Sequence, residues 1–311
     1  MNVLITGGFG YLGQRLGRYL HNSGLSIYLA SRSTKDKPNW LKNGEVLKVD
    51  WNNTSSLFHG LPIIDILVHT AGTNALFSSH YPDLAKDFNG EVTAKLLQDS
   101  IVNNVSEFMY LSTAHVYASP LEGIISENTE PSNHHPYATS HLLGERYVLE
   151  ANSSGKIKGS ILRLSNCFGP PVDKSADCWD LLVNDICLQA IKFNRINLRT
   201  SGKQSRDFIP ISELCRMVEY LIRHDSGKLD KPIFNIGGKS MSVIEMANLV
   251  AHVFYSKYHK KIDIFSKNDL NHISNNKFEY KMNWLEGKDF LRDYNPEKEI
   301  EDLLDFCKLN F

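Results

Sequence analysis

The sequence predicts an α/β fold: a doubly wound parallel sheet with helices on both faces and a smaller C-terminal lobe. Three observations predict it. Short apolar runs alternate with helix-like stretches through the first half of the 311 residues. Several runs are continuously apolar rather than alternating, as strands covered on both faces require. A glycine-rich turn joins the first run to the first helix, and strand–helix alternation of this kind builds a parallel sheet.

The apolar runs lie at residues 3–5, 26–30, 46–49, 66–69, 108–111 and 160–164. Amphipathic stretches separate them, most clearly at 84–103 and 137–151. After Asn166 the alternation loosens, and Gly169-Pro170-Pro171 interrupts it. A helix-like run follows at 179–193, then short strand candidates near Ile196 and Ile233. Residues 255–293 read as polar and irregular. Residues 296–307 read as a terminal helix, with Pro296 at its start and acidic side chains in its first turns. The expected division is a dinucleotide-binding domain over 1–165 with returning segments near 202–238, and a lobe from 166–201 and 239–311.

Bulk properties narrow the function. A net charge of -1 draws in neither nucleic acid nor an anionic membrane, so an anionic ligand must be held by local residues. No apolar stretch approaches membrane-spanning length and no secretory signal is visible. The five cysteines, Cys167, Cys178, Cys187, Cys215 and Cys307, are scattered and odd in number, which reads as free thiols in a reduced cytoplasmic protein. His134-His135 lacks a third ligand at useful spacing, so no metal site is expected.

The turn reads TGGFGYLG. Gly7 permits a tight bend, Gly10 removes the side chain that would hold the backbone off a pyrophosphate, and Gly13 lets the helix pack on the strand. Tyr11 and Leu12 open that helix, whose N–H groups and dipole favour phosphate. This is a Rossmann-type dinucleotide turn in its required strand–turn–helix context. The next strand ends at Ser31-Arg32-Ser33, where an acidic residue would bond a ribose 2′-hydroxyl. Arg32 instead suits a 2′-phosphate, so NADP is expected ahead of NAD. Asp50, followed by Trp51, is a candidate for the adenine; the alternative for Asp50 is a turn cap.

Further motifs follow in order: LVHTAG, Asn89 with Thr93, LSTAHVY, PYATSHLLGERY, LRLSNCFGP, GKQSRDFIPISEL and FNIGG. Together with the glycine turn they resemble the extended short-chain dehydrogenase/reductase family of nucleotide-sugar epimerases, dehydratases and reductases, across essentially the whole chain. The resemblance places Ala71, Gly72 and Asn89 beside the cofactor. It gives Thr113 the substrate oxygen and makes Tyr137 the proton donor or acceptor. It sets Asn166 in the substrate cleft and gives Arg206 a nucleotide diphosphate, for which a guanidinium fork is apt. It also implies a homodimer through the helices near 84–103 and 137–151.

Two positions depart from the family: Val92 stands where its helix motif usually has a glycine, and the catalytic motif is altered. His141 stands where Tyr-x-x-x-Lys has its lysine. Residues four apart share a helix face, so Tyr137 and His141 still point together. A free phenol titrates near about 10 and is a poor base unless a cation lowers it. Histidine titrates near about 6.5 and is often neutral at pH 7. Ala114-His115 replaces the Asp-Glu pair of the family's dehydratases, which argues against water elimination. His115 is a candidate second acid/base, or a histidine packed at a strand end. Three readings follow: an NADP(H)-dependent reductase of a keto-sugar nucleotide or related carbonyl, a sugar-nucleotide epimerase with bound NAD(P), or a cofactor-binding sensor that has lost turnover.

Overall fold

The structure is a computed structural model that describes residues 1–224, 231–267, 278–288, 290 and 294–311. The chain forms two compact units. The first comprises Met1–Ser119, Glu130–Leu164 and Met217–Phe234; the second comprises Pro120–Thr129, Ser165–Arg216 and Asn235–Phe311.

The first unit carries the sheet that the apolar runs predict. In chain order, β1 (Asn2–Thr6), α1 (Tyr11–Asn22), β2 (Ser26–Ser31), β3 (Gly44–Lys48) and β4 (Ile66–His69) build its first half. Next come α2 (Ala75–His80), α3 (Pro82–Lys86), a wide π turn at Asp87–Val92, and α4 (Thr93–Val102). They are followed by β5 (Glu107–Thr113) and α5 (Pro136–Ser153). The seven strands run in the order Ile233–Ile236, Lys158–Leu164, β5, β4, β1, β2, β3. Every pairing from Lys158–Leu164 to β3 is parallel. The order reverses at β1, so β1 and β4 end side by side at a topological switch point, where open α/β sheets bind ligands.

The continuous apolar runs are explained by burial on both faces: all four residues of β4 and Val3, Leu4 and Ile5 of β1 are buried. Each such Val, Leu or Ile contributes about 1.5–3 kcal/mol. Polar side chains inside these strands, such as His69 and Tyr110, must therefore find partners within the protein. The stretch 84–103, expected as one helix, is divided by the π turn, which skews the hydrogen-bond ladder at Asn89.

In the second unit, strand Ser205–Pro210 pairs antiparallel with Lys239–Ser242 and parallel with Asn166–Phe168. That pairing is why residues 202–216, assigned from sequence to the first domain, cluster with the second unit. Helices Leu182–Phe193, Val243–Tyr258 and Pro296–Asn310 enclose its core around Phe168, Ile186, Met246 and Leu303. Regular structure enters 255–293, read from sequence as irregular: Val243–Tyr258 extends into it, with strands Asp263–Phe265 and Glu279–Tyr280; residues 268–277, 289 and 291–293 lie outside the described residues.

Candidate active site

The glycine turn is built as its spacing requires. Gly7 has φ +68°, a left-handed conformation that favours glycine. Its missing side chain matters too, since a Cβ there would meet the Ala71 nitrogen at 2.9 Å. A Cβ at Gly13 would lie 2.3 Å from the Gly7 carbonyl oxygen and 2.8 Å from Thr70 Oγ1. Thr70 in turn donates to the Thr6 carbonyl at 2.6 Å, which locks the loop after β4 against the turn. Gly10 is the extended N-cap of α1 and offers no side-chain cap, leaving first-turn N–H groups for a phosphate. Tyr11 is buried and Leu12 half-buried. These residues fit a dinucleotide.

At the end of β2, Ser31 is buried and its Oγ accepts the Ser33 N–H at 3.3 Å. Arg32 is exposed and has no ion pair among the described residues. Asp50 caps the turn that follows it: Oδ1 accepts the Asn52 N–H at 3.0 Å and its carbonyl the Asn53 N–H at 3.0 Å. Trp51 packs edge-on against Phe88 at 5.2 Å and His69 at 6.3 Å between ring centroids.

Thr113 ends β5, buried, and Tyr137 stands half-buried in the first turn of α5. The start of α5 is fixed by His135, whose Nδ1 accepts the Tyr137 N–H at 3.2 Å and whose Nε2 bonds Ser79 Oγ at 2.8 Å. Pro136 at the first helical position loses no bond there. Burial pushes the Tyr137 phenol above its ordinary range, and the Thr113 hydroxyl partly offsets this. His141 is buried one turn on, its ring 4.7 Å from that of Tyr137 and nearly perpendicular to it. Burial pulls its pKa down to about 4, so it is neutral at pH 7 and does not replace the lysine's charge. His115 is exposed; its N–H donates to Thr113 Oγ1 at 3.2 Å and its carbonyl accepts from Asn133 at 2.7 Å.

Asn89 joins these parts. Its side chain accepts the Thr73 N–H at 2.9 Å and donates to Thr73 Oγ1 and Ser140 Oγ, both at 3.0 Å. This ties the Ala71-Gly72 loop to the helix bearing Tyr137. A Cβ on Gly72 would lie 3.4 Å from Asn89 Oδ1 and 3.7 Å from His141 Cε1.

Several participants were not identified from sequence. Tyr110 Oη donates to the Asn89 carbonyl at 3.2 Å and lies 3.0 Å from His141 Nδ1. His69 bridges Thr6 Oγ1 at 2.6 Å and Thr93 Oγ1 at 3.1 Å, and burial depresses its pKa to about 3. Behind α5, Arg163 forms a buried bidentate pair with Glu145, and Ser112 donates to the same carboxylate. The available signal was polarity within otherwise apolar strands: His69, Tyr110, Ser112 and Arg163 all sit on them.

In the second unit, Asn166 donates to the Asp207 carbonyl at 2.9 Å. Asp207 is buried and burial lifts its pKa to about 6; it accepts from Ser165, the Gly238 N–H and Ser240, and so orients backbone rather than Arg206. Arg206 is half-buried with no ion pair among the described residues. Trp179 packs on Phe306 and Phe311 and donates to the Lys174 carbonyl, so it serves the core.

Comparison with known proteins agrees with this geometry. The model of the NAD dependent epimerase/dehydratase family matches residues 3–237. An uncharacterized UDP-glucose epimerase, YtcB of Bacillus subtilis, is 26% identical over 270 residues, covering 81% of this chain and 82% of its own. A putative UDP-glucose 4-epimerase of Methanocaldococcus jannaschii is 24% identical, covering 80% and 81%. Among solved structures, the UDP-glucose 4-epimerase of Thermus thermophilus in complex with NAD superposes with a TM-score of 0.77 at 19% identity, covering 100% of both chains.

Proposed function

The chain belongs to the NAD dependent epimerase/dehydratase family, and from that premise we propose that it is an epimerase, inverting one ring hydroxyl of a nucleotide sugar with a tightly held nicotinamide dinucleotide. The observation that carries this reading is the pair of hydroxyls, Thr113 at the end of β5 and Tyr137 in the first turn of α5, the first within hydrogen-bonding reach of the second. Two of the relatives that match about four-fifths of the chain are named as UDP-glucose epimerases, which favours epimerisation over the reductase expected first. NAD is the cofactor in the Thermus neighbour. Arg32 leaves room for NADP as well.

A bound dinucleotide supplies the hydride acceptor and, later, the donor. Thr113 holds the sugar oxygen, and Tyr137 takes its proton as the carbonyl forms. Tyr137 returns the proton when the carbonyl is reduced from the opposite face. His141, being neutral, positions the ribose without drawing down the phenol. In the second unit, the Arg206 guanidinium, which has no ion pair among the described residues, suits a diphosphate. A homodimer through the helices near 84–103 and 137–151 is part of the proposal, and light scattering tests it.

One observation favours net reduction as a second reading: a phenol whose pKa is raised stays protonated at neutral pH and so holds the proton that a reduced carbonyl oxygen takes up. The deciding experiment incubates purified protein with UDP-glucose or UDP-galactose and no added cofactor. Epimerisation means that both sugars converge on one mixture and that NAD is released on denaturation. NADPH consumption matching loss of a 4-keto sugar nucleotide supports reduction instead. Tight cofactor binding with turnover of neither substrate class supports the sensor.

A further inference from the structure

His141 and His69 are joined to one atom, the carbonyl oxygen of Asn89. Thr93 Oγ1 donates to that oxygen at 2.9 Å and Tyr110 Oη at 3.2 Å. A carbonyl has no proton of its own, so each hydroxyl spends its single proton there. Tyr110 Oη also lies 3.0 Å from His141 Nδ1. With the phenolic proton committed, the proton in that contact comes from Nδ1. Likewise Thr93 Oγ1 lies 3.1 Å from His69 Nε2, so Nε2 carries the proton there. His69 Nδ1 then accepts from Thr6 Oγ1 at 2.6 Å.

We propose that Tyr110 is a positioning residue that holds His141 as the neutral Nδ1–H tautomer, so that its Nε2 is a hydrogen-bond acceptor for a ribose hydroxyl of the dinucleotide. The polarity is the reverse of an ammonium, which only donates. Nε2 makes no protein hydrogen bond among the described residues, and the adjacent Cε1 is the ring atom nearest Gly72. The two hydrogen-bond chains meet at the Asn89 carbonyl, where the Thr93 and Tyr110 hydroxyls also lie within hydrogen-bonding reach of each other. Gly144 makes the arrangement possible, since a Cβ there would lie 2.5 Å from the Asn89 oxygen and 2.7 Å from the Tyr110 hydroxyl. The depressed pKa values of both rings agree with neutral imidazoles.

The ribose contact rests on the proposed function; the tautomer does not. Long-range 1H–15N correlation on histidine-labelled protein reads both, with His141→Gln and His69→Gln assigning the signals. In cofactor-free wild type at pH 7, His141 is expected protonated at Nδ1 alone and His69 at Nε2 alone. Tyr110→Phe removes the acceptor and is expected to shift His141 toward Nε2–H, leaving His69 as the Nε2–H tautomer. A wild-type His141 that is Nε2–H or doubly protonated overturns the proposal, as does a Tyr110→Phe variant with an unaltered signal. Adding NAD is expected to move the Nε2 resonance, and Tyr110→Phe to weaken NAD binding about three- to tenfold, the loss of one hydrogen bond. NAD binding that leaves Nε2 unmoved overturns the ribose contact. Failure to bind any dinucleotide sinks the proposed function, while the cofactor-free spectra still decide the tautomer.

Discussion

Replacing His141 by lysine restores the missing cation, and the structure sets the size of the effect. The His141 ring stands 4.7 Å from that of Tyr137. At about that separation, two unit charges interact by roughly 3.5 kcal/mol at an effective dielectric of about 20, or about 2.5 pK units. Tyr137 is only half-buried, so screening by solvent reduces this to about one to two units. The sign is downward, because a cation favours the phenolate. Where proton abstraction limits the rate, the active fraction at pH 7 then rises about 10- to 100-fold. The assay is epimerisation rate between about pH 6 and 10, backed by ultraviolet titration of the phenolate against Tyr137→Phe. Wild type is expected to climb about tenfold per pH unit through neutrality, since its phenol titrates high. The lysine variant is expected to level off one to two units lower. Coincident profiles for two folded, NAD-loaded proteins would refute the view that His141 leaves Tyr137 untuned.

Three other outcomes are expected. The unfolded chain protonates His141 near about 6.5, whereas the folded chain does so only at about 4. Its contribution is therefore complete above about 6.5 and is lost as pH falls; over this interval the loss is about 3 kcal/mol. His141→Gln lacks it, so urea unfolding at pH 7 and pH 4 should show a smaller fall than wild type. Arg163→Met leaves the buried Glu145 carboxylate without its cation and should cost about 3–5 kcal/mol, measured by urea unfolding; the double variant with Glu145→Gln should recover much of this. Arg32→Ala should weaken NADP+ binding about tenfold while leaving NAD+ within about twofold, read by calorimetry, if the guanidinium takes a 2′-phosphate.

Much of the first unit was legible because its signals are local. Gly7, Gly10 and Gly13 announce one turn, and the continuous apolar runs of β1 and β4 announce doubly covered strands. Tyr137 and His141 share a face because a helix brings every fourth residue round. What was hidden depends on distant backbone. Nothing near Tyr110 reveals that its hydroxyl meets a carbonyl 21 residues away, because that needs the wide turn at Asp87–Val92. Arg163 and Glu145 carry ordinary helix and strand positions in sequence, and only the packing of α5 on the sheet pairs them. Asp50 was readable in either role, and its cap geometry decides only what it does without a ligand.

Chain order separates the parts of the Asn89 hydrogen-bond network during synthesis. The proposed phosphate cradle draws on Gly7 to Gly13 and the loop to Gly72, which precede α5 in the chain. His141 follows Gly72 by 69 residues. At about 5–20 residues per second, that is a delay of roughly 3–14 seconds. Until α5 emerges, the Tyr110 hydroxyl has no imidazole to receive. The nascent chain thus passes through an interval in which the glycine turn has been made and the residues of α5 have not.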